Sequence, residues 1–317
     1  MEERSKELGE NGMTKDGTHI LSLDNGYHLW SRTDGTGKPI KLLTLHGGPG
    51  AGHEPYERFP EFLNPIGVEV TQYDQLGAWY SDQPDFDDPA NVEKYLNYDY
   101  YLNEVEEVRQ KLGYEDGEFY LAGHSWGGLL AQEYALRHPG VLKGLIIISM
   151  IDNIDDYVTN INAIREKEFD ADVVAFMREV EERGEWDNPT YQKYATHLDR
   201  EYITRHPNAP HHQISTMGTA VYNHFQGDNE FVITGKLAHW SVADRLHEIE
   251  TPTLLTFGGH ESMPLEVACQ MRDKMPNARL RVTPNAGHVH MVDDPEIFFY
   301  NLKHFIQDVE ADEFVPE

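Results

Sequence analysis

Cysteine is nearly missing from this chain: Cys269 is the single one among 317 residues. No intrachain disulfide can form, and a reducing compartment fits. Cys269 falls in a stretch of helical periodicity, where a lone thiol reads as a small core residue rather than a nucleophile. Basic residues are scarce as well. The 26 Lys and Arg face 55 Asp and Glu, a net charge of −29, spread along the sequence rather than gathered in one block. That balance argues against nucleic acid, whose phosphates need basic partners, and against anionic membrane surfaces. It fits a soluble, self-repelling surface. Long apolar runs are lacking too. None approaches the roughly 18 residues of a membrane-spanning helix, and the opening "MEERSKELGENGMTKDG" has no apolar stretch of a signal peptide. The expected location is cytoplasmic. No repeat or low-complexity tract interrupts the chain. The histidines His206, His211 and His212 cluster without Cys or Glu at metal-ligand spacing. They read as solvated.

What is present is enough to build a substantial core. Hydrophobic residues make up 39%, including 13 Phe, 17 Tyr and 5 Trp, in a length that suits one large α/β domain or a core with an inserted lid. Strand-like and helical runs alternate. "THILSL" and "YHLWSR" flank Asp24-Asn25-Gly26, an Asn-Gly hairpin signal. "IKLLTLHGG" (Ile40–Gly48) and "GVEVTQYD" (Gly67–Asp74) read as buried strands, and "NVEKYLNYDYYLNEVEEVRQKLG" as one long amphipathic helix ending at Gly113. Strand, helix and strand follow in "EFYLAGHS", "WGGLLAQEYALRHPG" and "VLKGLIIISM". The same alternation returns in "TPTLLTFGG", "LEVACQMRDKM", "ARLRVTPNAG" and "PEIFFYNLKHFIQDV". It implies a doubly wound, mostly parallel sheet with an antiparallel edge hairpin. Residues 152–240 break the pattern: polar, rich in Tyr, His and charge, helical in places, and without a convincing buried strand. They are expected to form an inserted helical cap on a core of residues 1–151 and 241–317.

Three motifs carry chemistry. "GHSWGG" (Gly123 to Gly128) places Gly-x-Ser-x-Gly between a strand and a helix, the context of a nucleophile elbow. Ser125 would project above the sheet, over a helix N-terminus that favours negative charge. "LHGGPG" (Leu45 to Gly50) leaves bare backbone N–H groups at a strand end. The N–H of Gly48, or of Gly47 one residue earlier, would join that of Trp126 in an oxyanion hole; a plain Gly-Pro-Gly turn is the structural alternative. "NAGHVHMVDDPE" (Asn285 to Glu296) places His288 just after the last strand, where the general base belongs, with His290 as a structural neighbour or alternative. The acid must then lie between them in chain order. Glu261, after "TPTLLTFGG", would hold His288 in one tautomer and stabilise the imidazolium. Asp152, after "VLKGLIIISM", is its rival.

Together "LHGGPG", "YDQLGAWYSDQP", "GHSWGG", "GDNEF" followed by "ITG", and "AGH" resemble the prolyl aminopeptidase (proline iminopeptidase) family of α/β-hydrolases, which includes L-amino-acid amidases. The resemblance runs from about Ile40 to Ile306. It implies an α/β-hydrolase fold and a serine hydrolase releasing an N-terminal amino acid, often proline, from short peptides or amides, without metal or cofactor. Ser125 matches the family nucleophile and His288 its base. The family acid is usually Asp in a "GxxDE"-like turn, whereas "GGHES" puts Glu261 there. The following Glu, which helps to bind the substrate's α-amine, is replaced by Ser262. The amine-binding Glu of "GDNEF" is present as Glu230, and Glu54 is a further acid for the same pocket. Trp79, Tyr80, Trp126 and Tyr222 are aromatic enough to wall a small apolar site, and the resemblance turns Trp79 and Trp126 toward substrate contact; core packing would explain any one of them.

An esterase or lactonase of a small metabolite is the second reading, favoured by the uncharged Ser262. A non-catalytic binding module is the third, opposed by the intact Ser125, His288 and glycine loop. Enzymes of this fold that need a carboxylate at the elbow, the epoxide hydrolases and haloalkane dehalogenases, are disfavoured by Ser125 itself.

Overall fold

The computed structural model of the chain describes residues 15–206 and 217–317; His211 and His212 lie outside the described residues. The Asn-Gly signal forms its hairpin. Gly26 sits at φ +90°, a conformation that costs glycine little. The Leu23 N–H donates to the Tyr27 carbonyl at 2.8 Å, and β1 (Gly17–Ser22) pairs antiparallel with β2 (His28–Asp34). The apolar runs supply β3 (Ile40–Leu45), β4 (Val68–Tyr73), β5 (Phe119–His124), β6 (Leu142–Ile148), β7 (Thr253–Gly258) and β8 (Ala278–Thr283). Their order across the sheet is β1-β2-β4-β3-β5-β6-β7-β8. From β4 to β8 every pairing is parallel; the edge hairpin alone is antiparallel. Every residue of β4, β5 and β7 is buried, as a parallel sheet covered on both faces requires.

The helices among the described residues are α1 (Phe59–Leu63), α2 (Pro89–Tyr95), α3 (Tyr98–Leu112), α4 (Trp126–Arg137), α5 (Ile154–Glu168), α6 (Ala171–Glu182), α7 (Pro189–Leu198), α8 (Thr219–Phe225), α9 (Leu265–Lys274), α10 (His290–Asp293) and α11 (Pro295–Glu310). Alternate strand residues feed two cores. Leu43, Leu121, Leu145 and Ile147 pack with the apolar sides of α3 and α4. Leu42, Tyr120, Ile146 and Ile148 face the aromatic residues of α1 and α11. Cys269 lies in α9, half-buried.

The expected single helix up to Gly113 is two. Asn97 adopts φ −148° and its side chain accepts from the Tyr100 N–H. Its amide also donates to the Glu93 carbonyl at 3.0 Å. One residue thus ends α2 and starts α3, because an asparagine that satisfies orphan donors competes well with helix continuation.

Between β6 and β7 the described residues form α5 to α8 and no strand of the sheet. This stretch leaves and returns at one place. Asn153 bridges Ser241, Ile154 N–H donates to the Trp240 carbonyl at 2.9 Å, and Val242 N–H to that of Asp152 at 2.8 Å. Among the described residues no helix is long and apolar enough to cross a membrane.

Candidate active site

The turn from β5 into α4 holds Ser125 at φ +52°, ψ −121°, strained for any residue with a side chain. The glycines around it are dictated by contact. A Cβ on Gly123 would stand 2.0 Å from the Gly127 carbonyl oxygen, one on Gly127 2.0 Å from that of Leu45, and one on Gly128 2.7 Å from Met150 Cβ. Ser125 N–H donates to the Ile148 carbonyl, and its own carbonyl accepts from Gly128 and Leu129. The serine is therefore locked in place by both neighbouring strands and by the first turn of α4.

The glycine loop after β3 curves over this turn. Gly48 has φ +109°, and a Cβ there would lie 2.6 Å from Ala51 N. Trp126 is the first residue of α4, so its N–H has no acceptor within the helix and points from the positive end of the helix dipole. Gln75 ties the two halves together. Its Oε1 accepts from the Trp126 indole at 2.9 Å, its Nε2 donates to the His46 carbonyl at 3.2 Å, and its N–H donates to His46 Nε2 at 2.9 Å. With Nε2 accepting, His46 carries its proton on Nδ1 and donates to the Gly47 carbonyl. Burial lowers the His46 pKa, which keeps that tautomer neutral. No spacing in the sequence marks Gln75, which lies in the loop just after β4.

The imidazole and the acid meet behind the serine. His288 Nδ1 donates to Glu261 Oε1 at 2.8 Å. The same oxygen accepts from the N–H groups of Ser262 and Met263. Oε2 accepts from Ser149 Oγ at 2.7 Å and from Gly258 N–H. Burial alone would raise the Glu261 carboxyl, but the His288 charge and the hydrogen bonds from His288 and Ser149 outweigh it and lower its pKa. His288 moves the other way: burial opposes its charge, yet Glu261, by charge and hydrogen bond, raises its pKa, and the Glu230 charge adds to this. Ser149, at the end of β6 with φ +49°, was not foreseen. Its hydroxyl, given to Glu261, accepts from His290 Nδ1 at 3.1 Å, and His290 Nε2 accepts from Thr256 Oγ1 at 3.1 Å. Fully buried, with its pKa lowered to about 4 by desolvation, His290 supports the acid from behind. Asp152 is turned elsewhere, paired with Lys274 at 2.8 Å.

Ser125, His288 and Gly48 line a cavity of about 420 Å³ together with Glu54, Asp199, Tyr222 and Glu230. A tighter apolar recess continues behind Ser125, walled by Trp126, Leu129, Met150, Ile154 and Met263, and Glu230 borders both spaces. Burial raises the Glu230 pKa against the His288 charge and the Tyr222 hydrogen bond, a contact of 3.0 Å. Two expected contacts are corrected. Trp79 lines neither space; it packs behind Gly52, whose Cβ would meet its ring at 2.5 Å, and stacks on His53 and Tyr80. Tyr80 faces a separate groove beside Trp30 and Arg32. Ser262 also lines neither, because its hydroxyl and N–H both turn to Glu261 while its carbonyl accepts from Asn160. Among the described residues no group of three or more His, Cys, Asp or Glu is placed to hold a metal ion.

The sheet order and the strained serine turn define the class, an α/β-hydrolase, and the family described as the alpha/beta hydrolase fold matches residues 41–295. A proline iminopeptidase of Elizabethkingia meningoseptica is 35% identical over 303 residues, 93% of this chain and 99% of that relative. One from Saccharolobus solfataricus is 30% identical over 90% of each chain. The crystal structure of the Mycobacterium smegmatis proline iminopeptidase superposes with a TM-score of 0.80 at 25% identity, covering 93% of this chain and all of that one. The chain belongs to the proline iminopeptidase family of α/β-hydrolases and is a hydrolase of the aminopeptidase kind.

Proposed function

We propose that this enzyme removes the N-terminal residue, proline or another small apolar amino acid, from short peptides and amino-acid amides by acyl transfer to Ser125. Ser125 Oγ attacks the scissile carbonyl while His288 Nε2 takes its proton, and the imidazolium is held by Glu261 through Nδ1–H. The oxyanion faces the N–H groups of Gly48 and Trp126. His288 then returns the proton to the leaving amine, and water, deprotonated by the same imidazole, hydrolyses the acyl-enzyme. Because the base must be neutral, kcat/KM should rise with pH through a pKa above the ordinary histidine value, as the Glu261 and Glu230 charges require.

The observation that carries the substrate reading is Glu230, a carboxylate bordering both the open cavity and the apolar recess behind Ser125. An α-ammonium brought out of water needs such a partner. The open cavity beside Ser125 takes the side chain, the carboxylate takes the amine, and one residue is left between amine and scissile bond. Residues 152–240, tied at Asn153 and Ser241, serve as the cap that closes over short substrates.

The test pairs prolyl- and alanyl-naphthylamides with their N-acetyl forms. The free-amine form should be strongly preferred in kcat/KM, and Glu230→Gln should collapse that ratio. Ser125→Ala should remove nearly all turnover with the fold intact. Equal rates on both forms in the unaltered enzyme would replace this reading by an esterase or lactonase.

A further inference from the structure

Glu230 does not stand on a helix. It is the middle of a short turn after α8, where Asn229 bridges Val232, and a turn alone holds a side chain loosely. Its surroundings supply the missing rigidity. The Glu230 carbonyl accepts from Tyr157 Oη and from Gln226 Nε2, both at 2.9 Å. Each flanking residue is tied to a deeper group. Asn229 Nδ2 donates to Tyr191 Oη at 2.9 Å while its Oδ1 accepts from Phe231 N–H at 2.8 Å. Tyr191 Oη donates to Glu181 Oε1 at 2.9 Å. Glu181 receives Arg165 in a two-point fork, 2.7 and 3.0 Å, and Arg165 reaches back to the Phe231 carbonyl at 3.4 Å.

The Arg165 and Glu181 side chains are only 4% and 9% exposed, and Arg165 Nε has no partner. A buried pair of this kind contributes little net stability, since desolvation offsets the attraction, and an unpaired N–H worsens the balance. What the pair does have is direction: a planar fork fixes two groups at once. It joins α5, α6 and, through Tyr191, α7 to the turn that carries Glu230.

We infer that the buried Arg165–Glu181 pair, acting through Tyr191 and Asn229, is a positioning device that sets where the Glu230 carboxylate stands relative to Ser125, and so sets the enzyme's discrimination for a free α-amine. The inference rests on the amine-binding reading of Glu230. Arg165 and Glu181 touch no substrate; they are positioning residues.

Tyr191→Phe removes one hydroxyl link and keeps the ring. The volume-matched pair Arg165→Met with Glu181→Leu removes the fork without stranding a charge. Both are compared with Glu230→Gln on free-amine and N-acetylated naphthylamides, with thermal midpoints measured alongside. The expected result is a three- to tenfold rise in KM for the free-amine substrate in Tyr191→Phe, a larger one in the double variant, and little change in kcat or in the N-acetyl substrate. If Glu230→Gln collapses the preference while both other variants keep it, the positioning device is refuted and the amine reading stands. A uniform loss on both substrates would make the pair a plain fold element. If Glu230→Gln leaves the preference intact, the amine reading falls and this inference with it. Should the double variant fail to fold, Tyr191→Phe alone decides.

Discussion

Shortening the acid by one methylene, Glu261→Asp, should lower kcat/KM by about one to two orders of magnitude. The loop that carries it cannot follow the shorter side chain. Gly259 N–H is bonded to the Thr283 carbonyl and His260 N–H to that of Ala286. Gly258 and Gly259 lie so close to the 284–287 backbone that a Cβ on either would meet a carbonyl oxygen at 2.2 or 2.1 Å. The carboxylate must therefore withdraw by about one C–C bond, ~1.5 Å. The 2.8 Å contact with His288 Nδ1 would stretch to about 4 Å, beyond hydrogen bonding. A hydrogen bond to a charged group is worth about 1.5–3 kcal/mol, or roughly 10- to 100-fold in rate. The pH profile gives a second readout. Because Glu261 raises the His288 pKa, drawing the charge away should move the acid limb of kcat/KM to lower pH while the plateau falls. Rates on prolyl-naphthylamide across the neutral range, with thermal midpoints as a check on folding, measure both. Activity equal to or above that of the unaltered enzyme, or an acid limb displaced upward, would refute the reasoning.

Two further outcomes follow from buried groups. Ser149→Ala deletes the hydroxyl that Glu261 Oε2 accepts from at 2.7 Å and should cut kcat about tenfold, roughly 1.4 kcal/mol, with KM nearly constant; a lower thermal midpoint without a kcat change would assign Ser149 to stability alone. Glu104, on α3, has its pKa raised to about 8 by burial, against the hydrogen bond from Leu76 N–H. Its folded pKa lies above the unfolded one, so the folded state holds a proton the unfolded state releases, and stability should fall as pH rises from about 4.5 to 8. Glu104→Gln should flatten that decline, and equal alkaline losses of thermal midpoint in both proteins would exclude the group.

The serine turn was legible because its signature is confined to a few consecutive residues: a Cβ on Gly123 or Gly127 would stand 2.0 Å from a backbone oxygen, and one on Gly128 2.7 Å from Met150 Cβ, so the pattern of glycines around Ser125 shows in the sequence itself. The hairpin at Asn25 and Gly26 was legible for the same reason. The break at Asn97 was not, since the apolar spacing of Tyr95, Leu96, Tyr101 and Leu102 runs across it and a cap hidden in a periodic run leaves no gap. For Trp79 the sequence leaves both a pocket wall and core packing open, because a large ring in a loop beside glycines is as easily taken up by stacking, here on His53. The hydrogen-bond partners of Glu261 and Trp126 were invisible for a different reason. Ser149 and Gln75 stand 112 and 51 residues from the groups they hold, and only the strand order brings them together. Glu261 and Asp152 looked alike in sequence, each just past a strand. What separates them is a partner: His288 for one and Lys274 for the other.

The neck at Asn153 and Ser241 bears on how such an enzyme changes its diet over evolutionary time. A segment whose two ends leave the scaffold side by side can be lengthened, shortened or exchanged without re-threading the sheet. Here that freedom is curtailed, because the inserted stretch also grips the machinery beneath it. The N–H groups of His288 and Val289 donate to the carbonyls of Tyr202 and Ile203 at 2.9 and 3.0 Å, and Gly287 lies so near that a Cβ on it would meet those same carbonyls at 2.8 Å. A transplanted segment would have to reproduce that two-rung grip at 202–203 or leave the imidazole loop unsupported. Through those rungs the stretch from Asp199 to Ile203 is held to one shape by a loop in another part of the chain.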